Sequence, residues 1–324
     1  MDVCSRSRRV GLTVVACALL LRLWATGLPD RLLAWLGSET AAALMIYMET
    51  GQDVRFSPSQ AVFSPDFLES PPPAIPAPTL PPIPAFSPED ALPIQNSSSR
   101  KPDLPSLLAQ PLQWNLYGDS PTVLILHTHG TESYTKGPET YEESAAWRTL
   151  DEQHNMLSIG AEVAQLLNQA GIPTIQDRQL HDHPSYNGSY TDARKAIAAA
   201  LEEYPSIQLV LDLHRDASGS TRSQLRTLAQ IDGQDSAQLM LVLGSNHKHY
   251  KENLSLALKL HTLLERQSPG ITRPLQLRPQ RFNQDLCPGA ILVEVGGAGN
   301  TRQEALLAAR ALAQALIDLA QGST

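Results

Sequence analysis

Histidine and acidic residues stand at the ends of apolar runs in this sequence, and their types fit metal-assisted hydrolysis. His127 and His129 follow one apolar run, His214 follows a second, and Glu294 lies inside a third. Glu152 opens a helix-like segment after the first run. Two histidines and two acids at one sheet edge would supply three zinc ligands and a general base, with one zinc position left for water. The sequence therefore predicts a hydrolytic zinc site.

Glu294 is the most informative of these residues because of its neighbours. Leu292, Val293 and Val295 surround it in a strand-like run. Burial of an unpaired carboxylate is costly, so such a residue needs a partner or a use. A single histidine at a strand end, in contrast, is more often a hydrogen-bonded structural group. The prediction of a site therefore depends on the combination of residues.

The elements that position these residues alternate along the chain. Continuous apolar runs predict strands buried on both faces, at Thr122–Leu126, Ile172–Ile175, Gln208–Leu213, Leu239–Leu243 and Ile291–Val295. Helical periodicity predicts helices at Glu152–Ala170, Asp192–Glu203, Lys251–Arg266 and Arg302–Ala320. This order predicts an α/β domain with a mostly parallel twisted sheet flanked by helices. Ligands of such sheets bind beyond the carboxyl ends of the strands, where the histidines stand.

The first 30 residues have the pattern of a membrane anchor. Arg6, Arg8 and Arg9 precede the apolar run Val10–Leu21. Basic residues before an apolar run keep the N-terminus in the cytoplasm and send the following chain across the membrane. A cleaved signal peptide has a similar pattern. Either reading places the rest of the chain on the outer side of the cell membrane.

Two further segments precede the predicted catalytic domain. Residues 31–69 read as a juxtamembrane helical segment near the bilayer. Residues 70–105 are rich in proline, which predicts an extended linker without a core of its own. The catalytic domain is expected at 106–324.

Composition excludes several other classes of protein. The formal net charge of −8 argues against a nucleic-acid binder, which needs a basic excess. The three cysteines, of which two lie in the first 30 residues, cannot form a disulfide framework or a cysteine-rich zinc module. Phosphate-binding glycine loops and nucleophile-elbow motifs do not follow any predicted strand.

Four segments resemble the stage II sporulation protein P family. They are Val123–Tyr134 with its run His-Thr-His-Gly-Thr-Glu-Ser-Tyr, Tyr186–Tyr190, Val210–Ala217 and Asn283–Asn300. The resemblance extends from about Trp114 to the end of the chain. The family is similar to the zinc-dependent N-acetylmuramoyl-L-alanine amidases, which implies an amidase-like fold and a Zn²⁺ cofactor.

The resemblance also implies residue roles. His129, Glu152 and His214 correspond to the zinc ligands, and Glu294 corresponds to the catalytic acid. The first motif has two histidines where the amidases have one, so His127 is the alternative to His129. Asp151 is the alternative to Glu152, since the helix start could shift by one residue.

The implied function is hydrolysis of peptidoglycan during engulfment in sporulation, by amidase and endopeptidase chemistry. Arg215 is a candidate for binding a substrate carboxylate, with an ion pair to Asp216 as the alternative. Tyr134, Tyr186 and Tyr190 are candidates for contact with substrate sugars. Stage II sporulation proteins D and M are the implied partners. A non-catalytic peptidoglycan-binding scaffold and a zinc peptidase acting on protein are the competing hypotheses.

Overall fold

The computed structural model describes residues 85–135, 147–217, 219–220 and 223–322. The predicted anchor at 1–30, the juxtamembrane segment at 31–69 and the first part of the linker lie outside these residues. Within the described ranges, none of the helices has the length and apolar character required for a membrane span.

The described residues form five α-helices and eleven strands. The helices are α1 Leu104–Ala109, α2 Met156–Gln169, α3 Ser189–Glu203, α4 Tyr250–Gln267 and α5 Arg302–Gln321, and a short 3-10 helix lies at Pro88–Asp90. The strands are β1 Gln95–Asn96, β2 Val123–Leu126, β3 Thr174–Gln176, β4 Leu209–Asp216, β5 Gly219–Ser220, β6 Ser223–Gln224, β7 Leu228–Ile231, β8 Gln234–Ala237, β9 Leu239–Gly244, β10 Gln276–Arg278 and β11 Ala290–Gly297.

Seven of these strands form one mostly parallel sheet in the order β1-β10-β9-β11-β4-β2-β3. The pairs β3–β2, β2–β4 and β4–β11 are parallel, so the carboxyl ends of these four strands lie at one edge. The β9–β11 pair is antiparallel, and β1, β10 and β9 therefore run the other way. The predicted sheet flanked by helices is confirmed for the described residues.

Alternating side chains of the central strands build a core on each face of the sheet. Val123 and Ile125 pack into the larger cluster, which contains residues of α2, α4 and α5. Leu124 and Leu126 point to the opposite face and pack with residues of α3. The continuous apolar runs of the sequence are explained by this burial on both faces.

Local capping sets the ends of α2. The Asn155 side chain accepts a hydrogen bond from the backbone N–H of Leu157, which fixes the first turn at Met156. Gly171 follows the helix with a φ of 79°, a conformation that glycine adopts without strain. The predicted end is confirmed, whereas the predicted start at Glu152 is four residues too early because Asn155 is the N-cap.

Part of the predicted linker belongs to the fold. Phe86, Ala91 and Ile94 pack against the larger core, and β1 pairs with β10. The sequence also did not reveal the β7–β8 hairpin. Its turn residues Asp232 and Gly233 have φ values of 50° and 77°, which is the backbone of a tight Asp-Gly hairpin turn.

Candidate active site

Three neighbouring strands carry predicted site residues to one edge of the sheet. His214 on β4 and Glu294 on β11 are paired in register. His129 lies in the turn after β2, and its ring centroid is 5.3 Å from that of His214. The parallel arrangement of β2, β4 and β11 thus brings together residues that are far apart in the sequence, as expected for the carboxyl edge of such a sheet.

His129 is held between aromatic rings. Its ring stacks on Tyr186 at 4.5 Å between centroids, and Tyr190 approaches edge-on at 5.7 Å. Burial lowers the pKa of His129 to about 4, so the imidazole is neutral. Its Nδ1 atom is buried without a hydrogen-bond partner among the described residues. A neutral imidazole with a free nitrogen is the form that binds a metal.

His214 lies between two carboxylates. Its Nε2 is 2.9 Å from Asp212 Oδ1, in an ion pair rather than a well-aligned hydrogen bond, and its Nδ1 is 3.8 Å from Glu132 Oε2. Although burial alone would lower the pKa of His214, Asp212, Glu294 and Glu132 raise it to about 9. The carboxylates around His214 therefore favour its protonated form.

Asp212 is held in place by the turn after β2. It accepts hydrogen bonds from Thr128 N at 2.8 Å and Thr128 Oγ1 at 2.6 Å. Burial opposes its ionisation, but His214 and these hydrogen bonds lower its pKa to about 2. A fixed carboxylate of this kind orients a histidine ring, as is common behind metal-binding histidines.

Glu132 is a buried acid of the site that the sequence did not single out. Its Oε2 accepts a hydrogen bond from Arg215 N at 3.2 Å, and its Oε1 lies 3.4 Å from Arg148 Nη2. Burial alone would raise its pKa, but Arg215, His214, His129 and Arg148 together lower it. Glu132 is therefore a buried carboxylate that is stabilised in its charged form by its surroundings.

The environment of Glu294 differs from that of Glu132, and the Glu294 residue is partly exposed. Its Oε2 is buried without a hydrogen-bond partner among the described residues. Burial raises its pKa to about 7, against the opposing effect of His214 and with a further contribution from Glu132. A carboxyl group that titrates near neutral pH is suited to accept and release protons.

His127 lies on the opposite face of the sheet from His214. It is fully buried, with Nδ1 3.1 Å from Leu213 O and Nε2 2.9 Å from Gln176 Nε2. These contacts fit a neutral ring that donates from Nδ1 and accepts at Nε2. Burial lowers its pKa to about 4. His127 is thus a structural histidine, and the structure brings His129 rather than His127 to the site.

The structure does not bring Glu152 or Asp151 to these histidines. Glu152 lies in the turn before α2, where its side chain is 52% exposed and pairs with Arg178 at 2.5 Å. Asp151 pairs with His154 at 2.8 Å. Glu152 does not open the helix as predicted, because Asn155 is the N-cap and the helix begins at Met156.

Arg215 and Tyr134 are buried supports of the site rather than substrate contacts. Arg215 Nε donates to Ser133 O at 3.0 Å and its Nη2 donates to Trp147 O at 3.0 Å. The Tyr134 hydroxyl donates to Val295 O at 2.9 Å, and its ring is 1% exposed. The expectation that they contact substrate therefore does not fit, because their polar atoms already bond to the protein.

The side chains at this edge are of types that bind zinc, although they are not arranged as a complete set of zinc ligands. No group of three histidine, cysteine or acidic side chains among the described residues has the arrangement of a metal centre. His129 Nδ1 is nevertheless a buried atom without a partner. Ligand atoms about 2 Å from zinc in tetrahedral geometry are about 3.4 Å apart, close to the 3.8 Å between His214 Nδ1 and Glu132 Oε2.

Two acids of the site, Glu132 and Asp212, each have a position in the sequence that relates them to a site histidine. Glu132 is three residues after His129 in the motif that resembles the family, but it lies in a turn without periodicity. Asp212 is two residues before His214 on the same strand, so both side chains point to the same face. Strand alternation also separates His127 from the site.

Together, the fold and the site define an α/β domain with two histidines and several acids at the carboxyl edge of a mostly parallel sheet. A family model described as Stage II sporulation protein P (SpoIIP) matches residues 85–317. The chain belongs to this family.

Two individual proteins are similar to the chain. Stage II sporulation protein P of Bacillus subtilis (strain 168) is 30% identical over 213 residues, which are 62% of this chain and 52% of that protein. The chain thus spans about half the length of this relative. The crystal structure of an N-acetylmuramoyl-L-alanine amidase from Clostridium difficile 630 aligns with a TM-score of 0.35 and 13% identity, over 61% of this chain and 96% of the amidase. A likeness at this level carries no argument about mechanism.

Proposed function

We propose that this protein is a membrane-anchored, zinc-dependent peptidoglycan hydrolase, with N-acetylmuramoyl-L-alanine amidase activity and endopeptidase activity between cross-linked stems. The observation that carries the proposal is the position of His214, whose ring is 5.3 Å from that of His129, whose Nδ1 is 3.8 Å from Glu132 Oε2, and which is paired in register with Glu294. Membership of the stage II sporulation protein P family supports a role in sporulation.

His129, His214 and Glu132 are the proposed zinc ligands. When bound, zinc would act as a Lewis acid toward the scissile carbonyl and lower the pKa of water. Glu132 replaces Glu152 in this assignment because its carboxylate lies 3.8 Å from His214. Asp212 orients His214, and the backbone N–H of Arg215 donates to Oε2 of Glu132.

Glu294 is the proposed general base and acid. It takes a proton from the attacking water as the water oxygen bonds to the amide carbon. It then gives that proton to the leaving nitrogen as the carbon–nitrogen bond breaks. The products are a carboxylic acid and an amine, and no other reactant is needed.

The substrate and the cellular setting rest on the family resemblance and on the N-terminal pattern. The amide between the lactyl group of the glycan and the stem peptide is the expected bond. The predicted anchor would hold the enzyme on the outer side of the cell membrane with its N-terminus in the cytoplasm. Stage II sporulation proteins D and M remain proposed partners.

The test is digestion of purified peptidoglycan by the full chain in detergent, with mass spectrometry of the products. Wild type, wild type treated with a chelator, and Glu294→Gln are compared, with denatured protein as a second substrate. Stem peptides with new N-termini, lost with chelator and in Glu294→Gln, would support the proposal. Binding to peptidoglycan without cleavage by a folded, zinc-loaded wild type would favour the scaffold instead. Cleavage of the denatured protein alone would favour a protein peptidase.

A further inference from the structure

Three tyrosines lie around the candidate site, and they differ in what their hydroxyl groups contact. The Tyr134 hydroxyl is bonded to the backbone. Tyr186 is 48% exposed, with its ring between His129 and the Arg148 guanidinium. Tyr190 is partly buried, and none of the described residues hydrogen-bonds its hydroxyl. The Tyr190 hydroxyl is thus a hydrogen-bond donor without a role in the mechanism proposed above.

The Tyr190 side chain faces the proposed reaction centre. Its ring is 5.7 Å from His129 and 6.4 Å from His214, measured between centroids. The Tyr190 and His214 ring planes are nearly parallel, at 19°. The carboxylates whose charges act on the Tyr190 hydroxyl are Asp212, Glu294 and Glu132, which are the acids of the site.

The backbone of Tyr190 is fixed by a strained turn before β11. Asn283 Nδ2 donates to Tyr190 O at 2.8 Å, and the Phe282 ring lies 6.1 Å from the Tyr190 ring. Phe282 and Asn283 have consecutive positive φ values of 52° and 57°. Non-glycine residues in this conformation are uncommon and tend to occur at functional sites. The turn therefore holds the first turn of α3, and with it Tyr190, against the histidines.

We propose that Tyr190 is a catalytic residue whose hydroxyl donates a hydrogen bond to the carbonyl oxygen of the scissile amide. The inference rests on the proposed hydrolase function. As water adds to the carbonyl carbon, the carbonyl electron pair moves to oxygen, and the hydroxyl stabilises that negative charge. The pair returns when the carbon–nitrogen bond breaks. Tyr190 keeps its proton throughout, so the water supplies both the new hydroxyl and the proton on the amine.

A phenol suits this position for an electrostatic reason. Asp212, Glu132 and Glu294 place negative charge near the reacting carbonyl, and a bound zinc ion would supply positive charge that offsets it. A neutral donor placed in advance stabilises the oxyanion without adding a charge that would compete for the carboxylates. Contact with a sugar ring is better served by Tyr186, which exposes about half of its surface.

The test compares Tyr190→Phe with Tyr204→Phe in the full chain, because Tyr204 follows the last residue of α3, at the end of that helix away from Tyr190. Both variants keep the ring and lose only the hydroxyl. Tyr190→Phe is expected to lower kcat on peptidoglycan about 100-fold with KM unchanged, as for loss of an oxyanion donor. Tyr204→Phe should keep kcat. The bound zinc per chain and the melting temperature should match the wild type in both variants.

A second measurement separates catalysis from binding. A phosphinate analogue of the stem peptide carries a tetrahedral anionic group in place of the amide. Tyr190→Phe should bind this analogue about 100-fold more weakly, whereas binding of the uncleaved peptide to the Glu294→Gln protein should not change when Tyr190→Phe is added. Retention of kcat in Tyr190→Phe, or an effect on KM alone, would overturn the role of Tyr190 only. An inactive, zinc-loaded wild type would overturn the proposed function and the role of Tyr190 together.

Discussion

Nδ1 of His214 and Oε2 of Glu132 face each other at 3.8 Å across the ends of β4 and the turn after β2. Glu132 is thus the acid positioned to share a cation with His214, while Glu152 pairs with Arg178 elsewhere.

We expect Glu132→Gln to lower zinc affinity at least 10-fold, because a neutral amide is a poor zinc ligand. Glu152→Gln is the matched control and should keep both zinc and activity. The measurement is bound zinc per chain after dialysis against graded chelator concentrations. If Glu152→Gln instead lost the metal while Glu132→Gln kept it, the ligand assignment would have to return to Glu152.

Substitutions of the two histidines of the first motif should have different effects on stability and on zinc binding. His127→Ala removes the contacts with Leu213 O and Gln176 and leaves a cavity, so we expect a loss of about 2–4 kcal/mol of stability with zinc binding kept. His129→Ala should lose zinc with a smaller effect on the stability of the metal-free protein, since its Nδ1 has no partner among the described residues. Denaturant unfolding and zinc titration of both variants check this, and the reverse pattern would make His127 the ligand.

Glu294→Gln should stabilise the metal-free protein while it abolishes turnover. Burial raises the pKa of Glu294 from 4.5 to about 7 in the folded protein. The folded state therefore binds more protons than the unfolded chain between these values, and wild-type stability falls as pH rises through them. The glutamine of the variant does not titrate. Glu294→Gln should therefore melt at a higher temperature than the wild type at about pH 8, and this difference should vanish near pH 4. Equal melting temperatures at both pH values would contradict the raised pKa.

Lys259→Met should stabilise the protein at neutral pH. Lys259 is buried, its pKa is lowered by burial to about 8, and its Nζ donates to Leu107 O and Ser255 Oγ. Leu107 O keeps the Ser255 hydroxyl as a donor after the change. Replacement of a buried charge by an apolar side chain of similar shape is often worth about 1–4 kcal/mol.

The control for Lys259→Met is its pH dependence. The folded wild type loses the Lys259 proton near pH 8 and the unfolded chain near 10.5, so wild-type stability gains from rising pH in that window. The difference in melting temperature between the two proteins should therefore shrink at alkaline pH. A variant less stable than wild type at neutral pH would show that the hydrogen bonds of Nζ outweigh its desolvation.

The fold was more predictable than the site. The strand that ends before His127 and the helix that ends at Gly171 have strong local signals, namely an apolar run and a glycine after the last helical turn. The pairing of Gln95 with Gln276 joins distant parts of the sequence and has no local signal. The antiparallel direction of β9 is likewise set by packing and not by the apolar pattern of its residues.

The position of Glu132 shows why the sequence did not point to this acid as a proposed ligand. Its carboxylate is held by Arg215, which is 83 positions later on another strand, and by Arg148. The pattern of residues within one segment cannot identify a residue whose environment is built from three segments of the chain. Glu294 was predictable because a carboxylate within an apolar strand needs a partner or a function.

The place of β11 in the sheet has a consequence for how the proposed active site is assembled during folding. β11 lies between β4 and β9 in space, yet it is the last of the described strands along the chain. The two halves of the sheet therefore have no shared strand until residues 290–297 pair with both of them. Such long-range pairing is slow to form. The strand that joins the halves also carries Glu294, so the proposed base reaches His214 only when the sheet closes.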